Sequence, residues 1–168
     1  MTSAYFPMAA VMLSDEIYCA VSLRSDRNSQ LAHGFTSSGH PVAAAVALET
    51  IRIIEEDNLV HNSRIVGEYL LSRLNELADM PIVANIRGLG LIAAVELKSP
   101  SALPIGVLGK FVFERAHCHG LVIRNLGDTI ALCPPLITKR EDIDEIVRRL
   151  NDTLNEALAF VYSVDPES

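Results

Sequence analysis

Two pairs of short apolar runs, each pair divided by a turn-forming sequence, constrain the fold of this 168-residue chain more than any other feature. Residues 82–87 and 91–97 flank a Gly-Leu-Gly turn at 88–90, and residues 121–124 and 129–133 flank a polar turn. Short β-prone runs separated by turns that contain glycine are typical of antiparallel hairpins. The sequence therefore predicts two hairpins.

Helical patterns lie between and after these runs. The predicted helices start near residue 14 and then span residues 40–57, 59–78 and 105–119. Gly120 follows the last of them, in the position where helices commonly end in a left-handed residue. Thr138 and Glu141 have the spacing of a capping box, so a long final helix is predicted behind them. Its apolar side chains recur on one stripe: Ile143, Ile146, Val147, Leu150, Leu154 and Leu158.

An apolar segment at residues 9–13 predicts one more strand, buried and near the start of the chain. The resulting order is strand, three helices, hairpin, helix, hairpin and long helix. This order predicts an α+β fold in which helices cover one face of a small antiparallel sheet. A polar loop is expected at residues 24–30 and a frayed polar tail at 163–168, and the character of the chain changes near residues 33–38.

Charge and cysteine content exclude several classes of function. The net charge is −7 and no block of lysine and arginine occurs, so a general role in binding nucleic acid or anionic membranes is not expected. Hydrophobic residues make up 49% of the chain, which indicates apolar surface that another chain covers. Cys19, Cys118 and Cys133 do not form a disulfide framework, so a reducing cytoplasm is expected. No apolar run is long enough to span a bilayer.

Residues 33–49 combine a polar, glycine-rich loop with an alanine-rich helix. Pro41 suits the first turn of that helix, and Ser38 or Gly39 is expected to cap it. Hydroxyls and backbone N–H groups beside the positive end of a helix form a site for an anion, most often a phosphate. Such sequences are more often caps and nothing else, so the local pattern leaves both interpretations open.

The nine residues 33–41, HGFTSSGHP, resemble the HGFT(Y/S)SGHP block of the class III pyridoxal-phosphate (PLP) aminotransferases, the omega-transaminase group. Three further blocks, residues 2–18, 86–97 and 120–138, resemble the same family in the same order. The resemblance implies the small C-terminal domain of a fold-type I aminotransferase at residues 36–168. Residues 1–35 would then be a remnant of the large PLP-binding domain.

The resemblance also implies roles for three side chains. Phe35 and Thr36 correspond to cofactor-binding positions, and in the family the threonine reaches across a dimer interface to the cofactor phosphate of the partner subunit. Arg124 matches the arginine that in many omega-transaminases binds the substrate carboxylate and swings aside for apolar substrates. The alternative for Arg124 is a strand-end arginine in water or in an ion pair with Asp128. Asp128 itself is expected to be a turn residue rather than a catalyst.

The lysine that holds PLP in this family is not recognisable in the sequence. It lies in a block that reads Lys-Gly-Leu/Met-Thr-Ser, and this chain begins Met-Thr-Ser, so the lysine is expected about two residues earlier. Lys98, Lys110 and Lys139 do not resemble that position and are expected to be surface residues. No catalytic residue is therefore assigned within the chain.

The implied function is that of the C-terminal portion of a transaminase. Such an enzyme moves an amino group from an amine or ω-amino acid to a keto acid such as pyruvate, with sites at the interface of a homodimer. Without the lysine, the chain alone is expected to be inactive. The alternative is a non-catalytic module that binds a phosphate or a partner chain.

Three other features have simpler interpretations. Gly88 and Gly90 lack the third glycine and the following helix of a dinucleotide fingerprint, so they are expected to shape a hairpin. His117 and His119 flank Cys118, but side chains one or two residues apart do not share a helix face, so no metal site is expected. His40 is expected to be a packing residue at a helix start.

Overall fold

The computed structural model describes residues 1–23 and 34–164. The chain divides into two compact units, Met1–Asp57 and Asn58–Ser168, which are described separately as the first and second units. The boundary expected between residues 35 and 36 refers to the domains of the family and stays a prediction.

Two helices supply the regular structure among the described residues of the first unit. They are α1, Asp15–Leu23, and α2, Pro41–Glu56. Helix α1 begins where predicted, because the Ser14 hydroxyl accepts a hydrogen bond from the Ile17 N–H at 3.3 Å. The polar loop predicted at residues 24–30 lies outside the described residues.

The prediction of a strand at residues 9–13 is wrong. This segment has no regular secondary structure, and it is exposed rather than buried, with Val11 79% and Met12 95% exposed. A strand needs a neighbour to satisfy its backbone N–H and C=O groups. Within the described ranges no strand pairs with this segment, so its apolar composition is not sufficient to make it a strand.

Four strands of the second unit form one sheet in the order β1-β2-β4-β3. They are β1, Val83–Leu89, β2, Ile92–Leu97, β3, Arg124–Leu126, and β4, Thr129–Leu132. Both predicted hairpins are confirmed, since β1 pairs antiparallel with β2 and β3 with β4. Strand β3 begins at Arg124 rather than at residue 121, because the partner strand ends before Pro134 and leaves Leu121 and Ile123 without a ladder.

Three helices pack on the sheet and on one another. They are α3, Leu59–Asn75, α4, Val107–Cys118, and α5, Arg140–Val164. Helix α3 contacts β1 and β2, α4 contacts β3 and β4, and α5 packs against both helices. The α+β class is therefore confirmed. The largest fully buried side chains of this core are Leu70, Leu74, Ile82, Leu108, Ile130, Ile143, Leu150 and Leu154. Within the described ranges, none of the helices combines the length and apolar character needed to cross a membrane.

Most helix ends follow the sequence closely. Asn58, with a left-handed φ of 52°, separates α2 from α3 as predicted. Helix α3 ends at Asn75 rather than at residue 78, although Leu77 in the following turn is still buried. Gly120, at φ 69°, follows the C-terminal end of α4 as expected.

The start of α5 differs from the predicted capping box by one residue. The first helical hydrogen bond runs from the Ile143 N–H to the Lys139 carbonyl, and the Asp142 carboxylate accepts from the Lys139 N–H at 2.9 Å. Thr138 is buried, and its N–H donates instead to the Pro135 carbonyl. The box is displaced because the turn after the two prolines places Lys139, not Thr138, at the cap.

Each hairpin turn lies against a glycine in a helix. A Cβ atom on Gly67 of α3 would come within 2.2 Å of the Gly90 carbonyl oxygen in the β1–β2 turn. A Cβ atom on Gly109 of α4 would come within 2.0 Å of the Gly127 carbonyl oxygen in the β3–β4 turn. These distances are far below van der Waals contact, so both helices approach the turns more closely than any other residue would permit.

Candidate functional site

A turn at residues 36–39 leads into α2 and forms the first part of the candidate site. Pro41 occupies the first helical position, as predicted. The cap is His40, whose Nδ1 accepts a hydrogen bond from the Val42 N–H at 3.2 Å, so the expectation of Ser38 or Gly39 is wrong. The Ser38 hydroxyl is engaged elsewhere, because it accepts from the Phe35 N–H at 3.0 Å within the turn.

Thr36 and Phe35 are both exposed on this turn. The Thr36 hydroxyl makes no hydrogen bond with the residues that the structure describes. Phe35 keeps 73% of its surface exposed, while its backbone closes the turn by accepting from the Ser38 N–H at 2.9 Å. His33, the first residue of the block, lies outside the described ranges. An available hydroxyl on the turn that leads into a 16-residue helix is chemically suited to a phosphate.

An open groove of about 410 Å³ lies beside this turn within the first unit. One wall is the N-terminal segment, including Pro7 and Met8, and the other includes Phe35, Gly39 and His40. The turn and the segment also meet where the Phe6 and His40 rings lie 4.7 Å apart. Thr36 is not part of the lining, so its hydroxyl is not directed to the groove of its own chain.

Arg124 is the other predicted site residue, and it lies in the second unit at the start of edge strand β3. Its backbone is fixed by pairing with Ala131 of β4, and its side chain is exposed. Among the arginines that the structure describes, Arg124 alone has no hydrogen-bonding, acidic or aromatic partner. The guanidinium fork is therefore available for a carboxylate, which it can bind with two parallel hydrogen bonds.

Asp128 is not the counter-ion of Arg124, which corrects that alternative. Its carboxylate accepts hydrogen bonds from the Gly106 N–H and the Gly109 N–H, each at 2.8 Å. These N–H groups belong to the N-terminal end of α4, where Gly106 has no side chain to act as a cap. Asp128 lies in the β3–β4 turn, as expected, and from there it caps α4. Two features of the sequence could have indicated this contact: Gly106 directly before a helix, which leaves the helix without a side-chain cap, and Asp128 in a turn.

The three lysines are exposed and lie in the second unit. Lys98 follows β2, and its N–H donates to the Ile82 carbonyl. The Lys110 ammonium lies 3.7 Å from the Glu114 carboxylate on the surface of α4. Lys139 provides the backbone cap of α5. A lysine that acts on a cofactor needs a sheltered site that lowers its pKa, and these positions are open to water.

The histidines of the His-Cys-His sequence have separate partners. His117 Nδ1 lies 2.9 Å from the Phe113 carbonyl of the same helix. His119 Nε2 lies 2.8 Å from Glu156 Oε1 of α5. The Arg115 guanidinium, with His119 adding to the effect, holds the pKa of the Glu156 carboxyl below its ordinary value. This cluster joins α4 to α5, and the two imidazoles do not converge on one point.

A second charged cluster joins α3 to α5. The Tyr69 hydroxyl donates to Asp144 Oδ1 at 2.6 Å, and Arg73 Nε donates to the same oxygen at 2.9 Å. The Tyr69 hydroxyl and the Arg73 guanidinium lower the pKa of Asp144, while the carboxylate raises the pKa of Tyr69. Tyr69 and Arg73 of α3 both donate to Asp144 of α5, so we interpret this cluster as structural.

Comparison with known proteins gives one consistent family. The model of the family described as "Aminotransferase class-III" matches residues 1–154. Putrescine–pyruvate aminotransferase of Pseudomonas aeruginosa is 38% identical over 97% of this chain and 36% of its own length. Mitochondrial gamma aminobutyrate transaminase 1 of Solanum lycopersicum is also 38% identical, over 93% of this chain and 31% of its own length.

Solved structures agree with the sequence comparison. The omega transaminase from Pseudomonas jessenii in complex with PMP aligns with a TM-score of 0.89 and 42% identity. That alignment covers 95% of this chain and 36% of the other. The chain thus spans about a third of the length of the curated relatives that it matches.

Proposed function

Because this chain belongs to the class-III aminotransferases, we propose that it is the C-terminal portion of a PLP-dependent transaminase. The complete enzyme would move an amino group from an amine or ω-amino acid to a keto acid such as pyruvate. Residues 36–168 would be its small domain with the linking helices, and residues 1–35 would belong to the large domain. The names of the relatives, one of which uses putrescine and pyruvate, support this substrate class.

The turn before α2 would contact the phosphate of PLP. Its exposed Thr36 hydroxyl, which is free of partners among the described residues, fits a phosphate oxygen, and the N-terminal end of α2 favours the negative charge. Phe35, exposed beside it, would pack against the same cofactor. Since Thr36 lies outside the groove of its own chain, we propose that it serves the site of a second subunit. PLP, when bound, supplies the electron sink for amino-group transfer.

Arg124 would bind the carboxylate of the amino acid or keto acid. The observation that carries this proposal is that Arg124 is the one described arginine without a partner, although it is fixed to a strand by its backbone. An arginine already bound in an ion pair would have to give up that pair before it could hold a substrate. A guanidinium on an edge strand has no such competition and can also turn away from an apolar substrate.

We further propose that this chain cannot transaminate alone. None of its three lysines resembles the family's lysine, and all three are on the surface. Purified chain would be incubated with PLP, putrescine and pyruvate, and alanine formation would be measured. In parallel, borohydride reduction and mass spectrometry would detect any lysine adduct.

We expect neither alanine nor a stoichiometric adduct on one lysine. Turnover, or a single modified lysine, would contradict the proposal. PLP or phosphate binding without turnover would agree with it and would favour the second candidate function for the isolated chain, a non-catalytic phosphate- or partner-binding module.

Self-association and a cytoplasmic location complete the proposal. Large apolar side chains of the first unit are exposed, among them Tyr5, Met12 and Leu48. A second copy of the chain would cover them, as expected for an enzyme with sites at a homodimer interface. Cys19, Cys118 and Cys133 are free thiols, which agrees with a reducing compartment.

A further inference from the structure

We propose that His40 is a positioning residue for the phosphate-facing turn and that protonation of its imidazole releases the cap of α2. The consequence for the cofactor rests on the phosphate role proposed above for Thr36, but the pH-dependent cap itself does not. His40 therefore has a role that its earlier interpretation as a packing residue does not include.

The hydrogen bond at His40 fixes its protonation state. The Val42 N–H is a backbone group and can only donate, so His40 Nδ1 must offer a lone pair at 3.2 Å. The capping imidazole is therefore neutral, with its proton on Nε2. An imidazolium carries protons on both nitrogens and cannot accept this bond.

The backbone around His40 prepares it for this role. Its φ of −57° and ψ of 121° are the extended values that a following proline favours, and a cap residue also needs non-helical values. Its carbonyl accepts the first helical bond, from the Ala44 N–H at 3.0 Å. The Phe6 ring contacts the partly buried imidazole, with the two ring centroids 4.7 Å apart.

Protonation would weaken the cap in two ways. The Val42 N–H would lose its acceptor, and a positive charge would be placed at the positive end of a 16-residue helix. The turn at residues 36–39 ends directly at His40, so loss of the side-chain cap would change the environment of the backbone that carries Thr36. The release is confined to this end of α2, because the rest of the helix keeps its own hydrogen bonds.

Few other titratable groups are near enough to cause the same response. The N-terminal segment, residues 1–14, contains no charged side chain, and its titratable groups are the Met1 amine and the Tyr5 hydroxyl. The turn at residues 36–39 contains no titratable side chain, and α2 has no charged side chain before Glu49. His33 precedes the turn in sequence and lies outside the described residues, so it needs a control.

The test is amide hydrogen exchange by NMR on the whole chain between pH 8 and pH 5, the range in which imidazoles titrate. The protection factor, which corrects for the intrinsic pH dependence of exchange, would be measured at Val42, whose N–H donates to His40. We expect it to fall about fivefold to tenfold in the wild type, in keeping with the loss of a helix cap. The Thr36 resonances should shift with the same midpoint.

Three variants separate the cap from other causes. His40→Asn retains a capping acceptor that does not titrate, so protection should stay high at both pH values. His40→Phe keeps a ring beside Phe6 but no acceptor, so protection should be low at both. His33→Asn should behave as the wild type does.

Constant protection in the wild type, or an equal fall in His40→Asn, would overturn the inference. A normal fall at Val42 without any shift at Thr36 would overturn the positioning role. The function is tested separately: if Thr36→Ala leaves PLP affinity unchanged in a completed enzyme, the phosphate proposal fails while the pH-dependent cap stands.

Discussion

Arginine side chains in this chain serve two different purposes. Arg73 and Arg115 bridge helices through Asp144 and Glu156, so their guanidinium groups are already committed. Arg124 has the same chemistry but no partner among the described residues. The difference comes from position, because Arg124 lies on an edge strand and no described carboxylate reaches its guanidinium. An uncommitted arginine is the kind that can bind a substrate carboxylate and release it again.

Replacing Arg124 with alanine should weaken keto-acid binding. The measurement requires a completed enzyme, in which the preceding portion of a family relative is joined to this chain. A charged hydrogen bond contributes about 1.5–3 kcal/mol, so KM for pyruvate should rise about 10- to 100-fold. Turnover of an amine without a carboxylate, measured at saturating pyruvate, should change much less.

Arg87→Ala is the matched control for Arg124→Ala. Arg87 is also an exposed strand arginine, but it pairs with Glu96 on the neighbouring strand. Loss of the Arg87 side chain should leave both KM for pyruvate and the turnover of the amine nearly unchanged. Equal effects of the two substitutions, or an unaltered KM for pyruvate in Arg124→Ala, would contradict the proposed role.

Helices and hairpins in the second unit are joined by backbone contact as much as by side chains. Gly67 and Gly109 allow α3 and α4 to lie directly on the two hairpin turns. Asp128 adds two hydrogen bonds from one turn to the start of α4. The hairpin that carries Arg124 is thereby held at its turn, which restricts where the arginine can lie.

Adding a methyl group at either glycine should destabilise the second unit. Gly67→Ala and Gly109→Ala place a Cβ within 2.2 Å and 2.0 Å of carbonyl oxygens, so the helix must move away from the turn. Overpacking of this kind costs about 1–3 kcal/mol, measured as a lower free energy of unfolding in urea. Gly34→Ala is the control, because its Cβ position has no atom within 4 Å from the described residues other than its chain neighbours. Unchanged stability in both glycine variants would show that α3 and α4 do not approach the hairpin turns as closely as described.

Asp128→Asn should weaken the cap of α4 although the two side chains have the same shape. Both carboxylate oxygens accept from N–H groups, and an amide would place its NH2 against one of these donors. We expect a loss of about 1–2 kcal/mol in the free energy of unfolding, similar to Asp128→Ala. Asp152→Asn removes the negative charge that pairs with Arg148 on the surface of α5 and should have little effect. An Asp128→Asn protein as stable as the wild type would refute the two-bond cap.

For the chain as a whole, the exposed apolar surface supports the proposed association with another copy. Leu48 on α2 is 69% exposed, and Met12 in the N-terminal segment is 95% exposed. Side chains of this kind in water favour burial, at about 25 cal/mol for each Å² covered. A homodimer through the first unit is the proposal that accounts for them together with the outward-facing Thr36.

Analytical ultracentrifugation should therefore show a dimer that a charge on α2 disrupts. Leu48→Asp should shift the population to monomer, because an unpaired carboxylate would be buried in the interface. Ile105→Asp, at a residue 93% exposed in the second unit, is the control and should leave the dimer intact. A wild-type chain that stays monomeric at high concentration would contradict the proposed interface.

The sequence alone determined the order of the helices, both hairpins and the family, because these depend on local periodicity, turn residues and a nine-residue block. It also located the turn and the arginine that we assign to the site. The tertiary structure decided what spacing along the chain does not contain: that residues 9–13 find no strand partner among the described residues, that His40 and Lys139 provide the caps, and that Asp128 bonds α4 rather than Arg124. Each of these outcomes depends on which hydrogen-bonding groups lie close together in the folded chain. Distance along the sequence carries little information about that.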